Sequence, residues 1–231
     1  MARIITRRKL LLGVGAATLL AGCEKSPAAK LFLSAMSNWN QKVEGALFSP
    51  TRLAPDIPAS AVTPEDAFPS YFISDNMPFP PDNWMLKVGG LVAKPGVFSL
   101  DDLKKMTRTD LRLRHHCVEG WSAVAGWHGV RVSEIANLVG IDPRVQYVEF
   151  KSFDLGYYSS WDLAGAMHPQ TILAYGMNGH ELYPDHGAPL RLYSSVKLGY
   201  KTVKYVNEVN FLPNATGGYW ENQGYEWFAG V

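Results

Sequence analysis

The chain has 231 residues, 47% hydrophobic and 19% charged, which is ample for a real core built as one large domain or two small ones. Its formal net charge is +1, so it exerts no long-range pull on nucleic acid or on an acidic membrane surface. No basic helix or RNA-binding aromatic motif is present, and nucleic acid is set aside as a partner.

The opening stretch, MARIITRRKLLLGVGAATLLAGCEKS, has basic residues, a short apolar run and small residues ahead of a cysteine, which is the plan of an export signal. The run from Leu10 to Ala21 is far shorter than the ~20 apolar residues a spanning helix needs. Thr6-Arg7-Arg8-Lys9-Leu10-Leu11 resembles the twin-arginine signal, which exports proteins already folded. Leu20-Ala21-Gly22-Cys23 resembles the bacterial lipobox, in which cleavage before the cysteine is coupled to its lipidation. Together they predict a signal over 1–23 and a periplasm-facing lipoprotein anchored through Cys23. Residues 24–69 read as an irregular tether and surface wrap: SPAAK, a short helix in LFLSAMSNWNQKVEGALF, then SPTRLAPDIPASAVTPEDAFP, whose scattered prolines cannot build a core.

Residues 70–231 read as the folded domain. Trp84, Leu86 and Val88 alternate ahead of Gly89-Gly90, and a Lys-Pro-Gly turn follows, so WMLKVGGLVAKPGVFSL predicts two strands around a turn. In SLDDLKKM, Ser99 stands three residues before Asp102, the arrangement of a capping box. VRVSEIANLVG predicts a second helix, capped by Ser133 and ended at Gly140. Strands are predicted at VQYVEFKSF, TILAYGM, PLRLYSS and KTVKYVNEVNF. Short helices strung between many strands predict an α+β domain with mixed sheets, and no repeat or heptad pattern is present.

The chemistry gathers in RLRHHCVEGWSAVAGWHGV, where Cys117 sits among His115, His116, Glu119, Trp121 and Trp127. If Cys23 is consumed by lipid, Cys117 has no disulfide partner in an oxidising compartment, and something must protect the thiol or use it. A buried cysteine acting as a small hydrophobe is one reading. Zinc would want several Cys or His ligands at spacings such as CxxC or HExxH, and neither these nor a grouping of His128, His168, His180 and His186 is present. A histidine-activated nucleophile is another reading; on a strand His115 would share the side of Cys117 and His116 would not. The signature sequences of cysteine proteases are absent. A third reading is a single soft thiolate ligand to a transition metal whose other ligands come from a cofactor.

At this point the sequence resembles a known family. RLRHHCVEGWSAVAGWHGVRVSEIANLVG is similar to the molybdopterin-binding domain of the sulfite oxidase family, particularly its bacterial periplasmic branch near the methionine-sulfoxide reductase catalytic subunit. Its marks are Cys-Val-Glu-x-Trp-Ser followed by Trp-x-Gly-Val. ILAYGMNGHELYPDHGAPLRLYSSVKLGYKTVKYVNEV carries the family's Ala-Tyr-x-Met-Asn-Gly, Gly-Ala-Pro-Leu-Arg and Gly-Tyr-Lys-x-Val-Lys, and YFISDNMPFP resembles its opening segment. The resemblance runs from about Tyr71 to Phe211. It implies a sulfite oxidase-type molybdopterin-binding fold and a molybdenum-molybdopterin cofactor whose metal takes Cys117 as its protein ligand. It also implies cofactor contacts at Ser74, Asp75, Asn76, Ser152, His186, Arg191, Lys201, Thr202, Val203 and Lys204. FDLGYYSSWDL resembles the stretch that carries the family's active-site tyrosine, implying a catalytic Tyr157, with Tyr158 the alternative register. His115 and His116 are left open between bonding the pterin and an ordinary structural role, and Trp121 and Trp127 read as packing residues.

The implied activity is oxygen-atom transfer on a small sulfur-containing or similar substrate. No haem-attachment CxxCH is present, so the resemblance implies a separate haem- or quinone-linked electron-transfer protein. The chain departs from sulfite oxidases at Ser74, where they carry arginine, which weakens the case for a small dianion. It ends soon after NFLPNATGGYWENQGYEWFAGV, without room for their immunoglobulin-like dimerisation domain. The Tyr157 region departs in turn from the methionine-sulfoxide reductase subunit. Sulfite dehydrogenase and sulfoxide reductase stand as specific alternatives. A non-catalytic lipoprotein that retains the fold, and a cysteine hydrolase, stand as alternatives of other classes.

Overall fold

The computed structural model describes residues 27–231; the expected export signal and lipobox lie outside them. The chain divides into two units, one reaching Ala46 and one running from Leu47 to Val231. Helix α1 (Pro27–Leu47) begins four residues ahead of the predicted helix, with Pro27 at a first-turn position where its missing N–H costs nothing. Among the described residues no helix is long and apolar enough to cross a membrane.

Within the second unit, the proline-rich stretch after α1 is bonded along the body. Ile57 N–H donates to Arg112 O at 2.9 Å and Thr63 N–H to Val124 O at 2.9 Å. Ala54 exchanges two hydrogen bonds with the Gln170 side chain.

The first sheet orders its strands β2-β1-β10-β5-β6, formed by β1 (Leu86–Gly90), β2 (Gly96–Phe98), β5 (Tyr147–Ser152), β6 (Tyr158–Asp162) and β10 (Val206–Leu212). β1 and β10 run parallel and the other pairs antiparallel, so the sheet is mixed. The predicted alternation is present: Leu86 and Val88 point into the core and Lys87 out. The second sheet orders β3 (Arg108–His116), β4 (Ser122–Arg131), β7 (Ile172–Met177) and β8 (His180–Glu181), with β9 (Arg191–Tyr193) also paired to β7. β3 and β4 form the longest hairpin of the described residues, with nine partnered positions from Arg108↔Val130 to His116↔Ser122.

Helix α2 (Leu100–Lys104) carries the predicted capping box: Ser99 accepts from Asp102 N–H, and the Asp102 carboxylate accepts from Ser99 N–H. Helix α3 (Val132–Val139) buries Val132, Ile135, Ala136 and Val139, spaced i, i+3, i+4 and i+7 along one face. It ends as predicted at Gly140, whose φ of 65° favours glycine and whose N–H bonds Ala136 O. The predicted cap at Ser133 is corrected. β4 runs straight into the helix, so Arg131 takes the N-cap place without a side-chain bond and Ser133 lies inside the first turn. The predicted strand from Lys201 is also corrected, because β10 starts only at Val206. Gly199–Lys201 form a short 3-10 turn, and Tyr205 has a φ of 58°, which cannot continue a strand. Helix α4 (Leu163–Ala166) follows β6 and is capped by Asp162.

One hydrophobic cluster joins the first sheet, α3 and the inner face of β7 and includes Leu86, Phe150, Trp161, Leu173 and Phe211. A second lies on the other sheet, around Leu113, Trp127, Ile172, Met177 and Tyr193, with Phe68 from the proline-rich stretch packed into it. Each fully buried large apolar side chain contributes about 1.5–3 kcal/mol, against roughly 0–1 kcal/mol for an exposed ion pair. These clusters therefore fix how the loops between strands are held, and those loops build the site.

Candidate cofactor cavity

Cys117 opens the loop 117–121 that closes the β3–β4 hairpin. Its N–H donates to Trp121 O at 3.0 Å, and Gly120 N–H returns to Cys117 O at 3.1 Å. The thiol is half-buried and unpaired, 3.7 Å from a Glu119 carboxylate oxygen that also accepts from Trp121 Nε1 at 2.9 Å. Burial pushes the Cys117 thiol up from its ordinary pKa. Two residues back on the same side, His115 is buried and ring-packed against Tyr193 at 6.1 Å and Trp121 at 5.8 Å. Burial, helped by the Arg191 charge, holds its pKa down to about 3, so it is neutral at ordinary pH. His116, as strand alternation requires, does not line the cavity.

The β5–β6 turn supplies a second wall. Ser152 Oγ accepts from Asp154 N–H at 2.9 Å. The Asp154 carboxylate, 4% exposed, in turn accepts from Ile73 N–H at 3.1 Å and from Ser74 Oγ. Tyr157 donates its hydroxyl to Tyr200 O at 2.8 Å and stacks on Tyr219 with centroids 5.5 Å apart. Burial raises its pKa, so it keeps its proton. Tyr158 faces elsewhere and accepts from Asn222 Nδ2 at 2.7 Å, so of the two registers Tyr157 is the one that lines the cavity.

The third wall comes from β9 and the loops on either side of it. The Arg191 guanidinium is 4% exposed, lies 4.7 Å from the centre of the Trp127 ring, and donates to His186 O at 3.1 Å and Thr202 Oγ1 at 3.3 Å. Lys204 donates to Asp185 O at 2.8 Å. Among the described residues no carboxylate pairs with either cation within 4.0 Å. Burial pulls Arg191 down to about 10; burial and then the Arg191 charge pull Lys204 down to about 7. His186 Nε2 and the Tyr205 hydroxyl are buried without a hydrogen-bond partner among the described residues.

These walls enclose a cavity of about 190 Å³. Leaving an ion buried without a counter-charge costs several kcal/mol, and an orphaned buried polar group costs about 1–3 kcal/mol. Buried Arg191 without an ion pair, half-buried Lys204 with Asp185 and Asp154 acting on it only at longer range, and two such polar atoms around one cavity fit an anionic ligand rich in acceptors and donors. A phosphate-bearing pterin has that character. Among the described residues no group of three His, Cys, Asp or Glu side chains could hold a metal ion. A metal bound at Cys117 therefore needs most of its ligands from a cofactor, which is the donor set a pterin dithiolene supplies.

Of the residues predicted from sequence, the structure brings Cys117, Ser152, Tyr157, His186, Arg191, Thr202 and Lys204 to this cavity. Lys201 is fully buried but turned away, with its ammonium on Glu221 at 2.5 Å and Ser160 O at 2.9 Å. Val203 lies in the core. Ser74, Asp75 and Asn76 are exposed and line no part of it; the segment just upstream, Phe68 to Phe72, does so instead. The sequence reading missed Asp154, Tyr71, Tyr205, Trp220 and Tyr225 as lining residues. The left-handed φ of Tyr205 leaves no sequence signal, whereas the aromatic density of GGYWENQGYEWF was a signal available to be read.

Residues 75–220 match the model of the oxidoreductase molybdopterin binding domain. A protein of Azospira oryzae provisionally named a protein-methionine-sulfoxide reductase subunit is 40% identical over 220 residues, covering 94% of this chain and 84% of that protein. The protein-methionine-sulfoxide reductase catalytic subunit of Xanthomonas axonopodis pv. citri is 35% identical over 154 residues, 60% of this chain and 48% of that one. The sulfane dehydrogenase SoxCD of Paracoccus pantotrophus shares the fold, with a TM-score of 0.64 at 23% identity over 68% of this chain and 45% of that one. The chain thus spans about half the length of the latter two proteins. The cavity's chemistry and the match over 75–220 meet in the same residues: the chain belongs to the oxidoreductase molybdopterin binding domain family, and its cofactor is molybdenum-molybdopterin.

Proposed function

We propose that the protein is the catalytic subunit of a sulfoxide reductase, with Cys117 as the protein ligand to molybdenum and Tyr157 beside the reacting atoms. The observation that carries this reading is the convergence on a single cavity of one unpaired thiol and two cations, neither of which makes a direct ion pair among the described residues. The named relatives support the direction, since two are protein-methionine-sulfoxide reductase subunits by name. When bound, the cofactor supplies two-electron oxygen-atom transfer; the net reaction consumes a sulfoxide, two electrons and two protons and yields a thioether and water.

The chain's own groups have distinct parts in this reading. Arg191 and Lys204 bind the cofactor's phosphate or pterin oxygens, the guanidinium as a planar fork and the ammonium as a point charge. Ser152, His186 and Thr202 complete the hydrogen bonding. Ser74, Asp75, Asn76, Lys201 and Val203 are not assigned direct contacts. Asp154 ties Ile73 and Ser74 to the β5–β6 turn, which holds the upstream segment against the cavity. Tyr157, protonated at ordinary pH, gives its one O–H proton to Tyr200 O, and in this reading it turns that hydrogen bond onto a substrate oxygen when substrate is bound. Neutral His115 adds no charge to the thiol's surroundings.

The proposal extends to the whole chain: a signal over 1–23 read by twin-arginine export, lipidation of Cys23, a tether and surface wrap over 24–69, and a catalytic domain over 70–231. Electrons come from a separate haem- or quinone-linked membrane partner. The signal's twin arginines and its Leu-Ala-Gly-Cys support export and anchoring, and the absence of a CxxCH motif supports a separate partner. The test is to purify the exported protein, measure molybdenum and pterin together, and assay sulfoxide reduction and sulfite oxidation with artificial electron dyes. About one molybdenum per chain with sulfoxide turnover is expected; metal-loaded protein that acts only on sulfite overturns the substrate assignment.

A further inference from the structure

Three aromatic rings stand together at the cavity. Trp220 is centred 4.9 Å from Tyr225 and 6.0 Å from Tyr71. Tyr219 meets Trp220 edge-on at 5.2 Å and stacks on Tyr157, so this group continues inward to the proposed catalytic tyrosine. Tyr71 is 59% exposed and Tyr225 39%, yet both line the cavity. They form its mouth rather than its floor. The exposed charged side chain that lines the same cavity is Glu119, while Arg191 lies buried. The mouth thus presents aromatic faces and a carboxylate, which suit a polarisable, apolar group; with Arg191 and half-buried Lys204 matched by the cofactor's own negative charge, the carboxylate is left to disfavour a small dianion.

Two of the three rings come from outside the family match, Tyr71 before its first residue and Tyr225 after its last. The C-terminal ring pair is also held firmly. Glu221 accepts from Lys201 Nζ and from Ser159 Oγ, each at 2.5 Å, and Lys201 and Ser159 are completely buried. Tyr219 N–H donates to Tyr158 O at 2.9 Å, and Tyr225 N–H to Trp220 O at 3.1 Å. The neighbouring residue of Trp220 is therefore fixed to the floor of the first sheet by a buried ion pair that touches neither thiol nor cavity cation.

We propose that Tyr71, Trp220 and Tyr225 form a recognition wall that selects sulfoxides bearing an apolar or aromatic substituent over small oxyanions, with Lys201 and Glu221 as positioning residues behind it. The wall takes its substrate class from the sulfoxide reading, but its binding role can be measured without turnover.

The experiment uses the molybdenum-loaded protein and its Trp220→Ala and Tyr225→Ala variants, checked for equal metal content. Binding of methyl phenyl sulfone, an unreactive shape analogue, is followed by calorimetry. Methyl phenyl sulfoxide and dimethyl sulfoxide are compared as substrates. Each variant is expected to weaken sulfone binding by about tenfold or more and to raise KM for the aryl sulfoxide similarly, with a much smaller change for dimethyl sulfoxide. Glu221→Gln, which removes the ion pair but keeps an acceptor, is expected to shift the same ratio between the two substrates. An equal change for both would mark Glu221 as merely structural and remove it from the proposal. Sulfone affinity within twofold of the parent in both aromatic variants, or no sulfone binding by the parent, overturns the wall. If no sulfoxide is turned over but sulfone binding still falls in the variants, the wall stands and the catalytic reading fails.

Discussion

Lys204 carries its charge in a place that does not reward it. Its ordinary pKa of 10.5 is drawn down to about 7 by burial and by Arg191. Between those values the unfolded chain holds the proton that the folded chain gives up, so without cofactor stability rises with pH through the window from about 7 to 10.5. Conversely, it falls as pH drops through that window, and the penalty is complete below about 7. Lys204→Met is expected to flatten this part of the stability profile of cofactor-free protein, as read by thermal unfolding across pH 7–10. A bound anionic group offsets the same penalty, so the slope of the loaded protein is expected to be shallower than that of the cofactor-free protein. At the other end of the cavity, Cys117→Ser replaces sulfur with a near-isosteric hydroxyl on a half-buried loop. Oxygen-atom transfer is expected to fall more than about a hundredfold, since even residues that only orient metal ligands cost 10–100-fold. The thermal midpoint is expected to stay within a few degrees. Transfer at a near-parental rate in Cys117→Ser would refute the ligand assignment.

Among the elements, the β3–β4 hairpin does most to make the site, because it delivers His115 and Cys117 to one side and the cluster around Trp127 beneath them. Neither strand was predicted from sequence: only the alternation that would put His115 on the side of Cys117 was read, and the pairing partner of each residue is set by the turn. The seam with β7 depends on Gly129, where a Cβ would stand 2.1 Å from Leu173 O and 2.6 Å from Ala174 Cα. The register shifts between His128 and Gly129, and the two backbones approach too closely there for any side chain. Gly129→Ala is expected to cost about 1–3 kcal/mol, as overpacking generally does, measured by urea unfolding. A change below about 0.5 kcal/mol would mean that the seam can open without loss. The Ser99–Asp102 cap and the Gly140 stop were legible because they are local bonds between near neighbours in sequence. The Ser133 cap was misread because the end of the preceding strand, a longer-range feature, decides where α3 begins.

For the molecule as a whole, the proposed route out of the cytoplasm is one that suits a cofactor-binding fold. The cavity takes its walls from both sheets and exists only in the folded chain, so a cofactor loaded before export would be kept only if the chain crossed the membrane folded. Replacing Arg7 and Arg8 with lysines is expected to leave precursor in the cytoplasm, tracked by fractionation and immunoblotting. Normal export of that variant would exclude the twin-arginine route.

What the sequence by itself determined were the features written in neighbouring residues: strand alternation, a cap, a glycine stop, a thiol with too few metal ligands around it, and runs long enough to resemble a family. Only the tertiary structure decided which of these meet. Lys201, Thr202, Val203 and Lys204 are consecutive, yet one pairs with Glu221, two reach the cavity and one enters the core, because a 3-10 turn and the left-handed Tyr205 break the strand that would have alternated them. Tyr71 and Trp220 likewise stand 6.0 Å apart across most of the chain's length. Such meetings depend on how two sheets pack, and packing is a property of all the buried side chains together rather than of any one stretch.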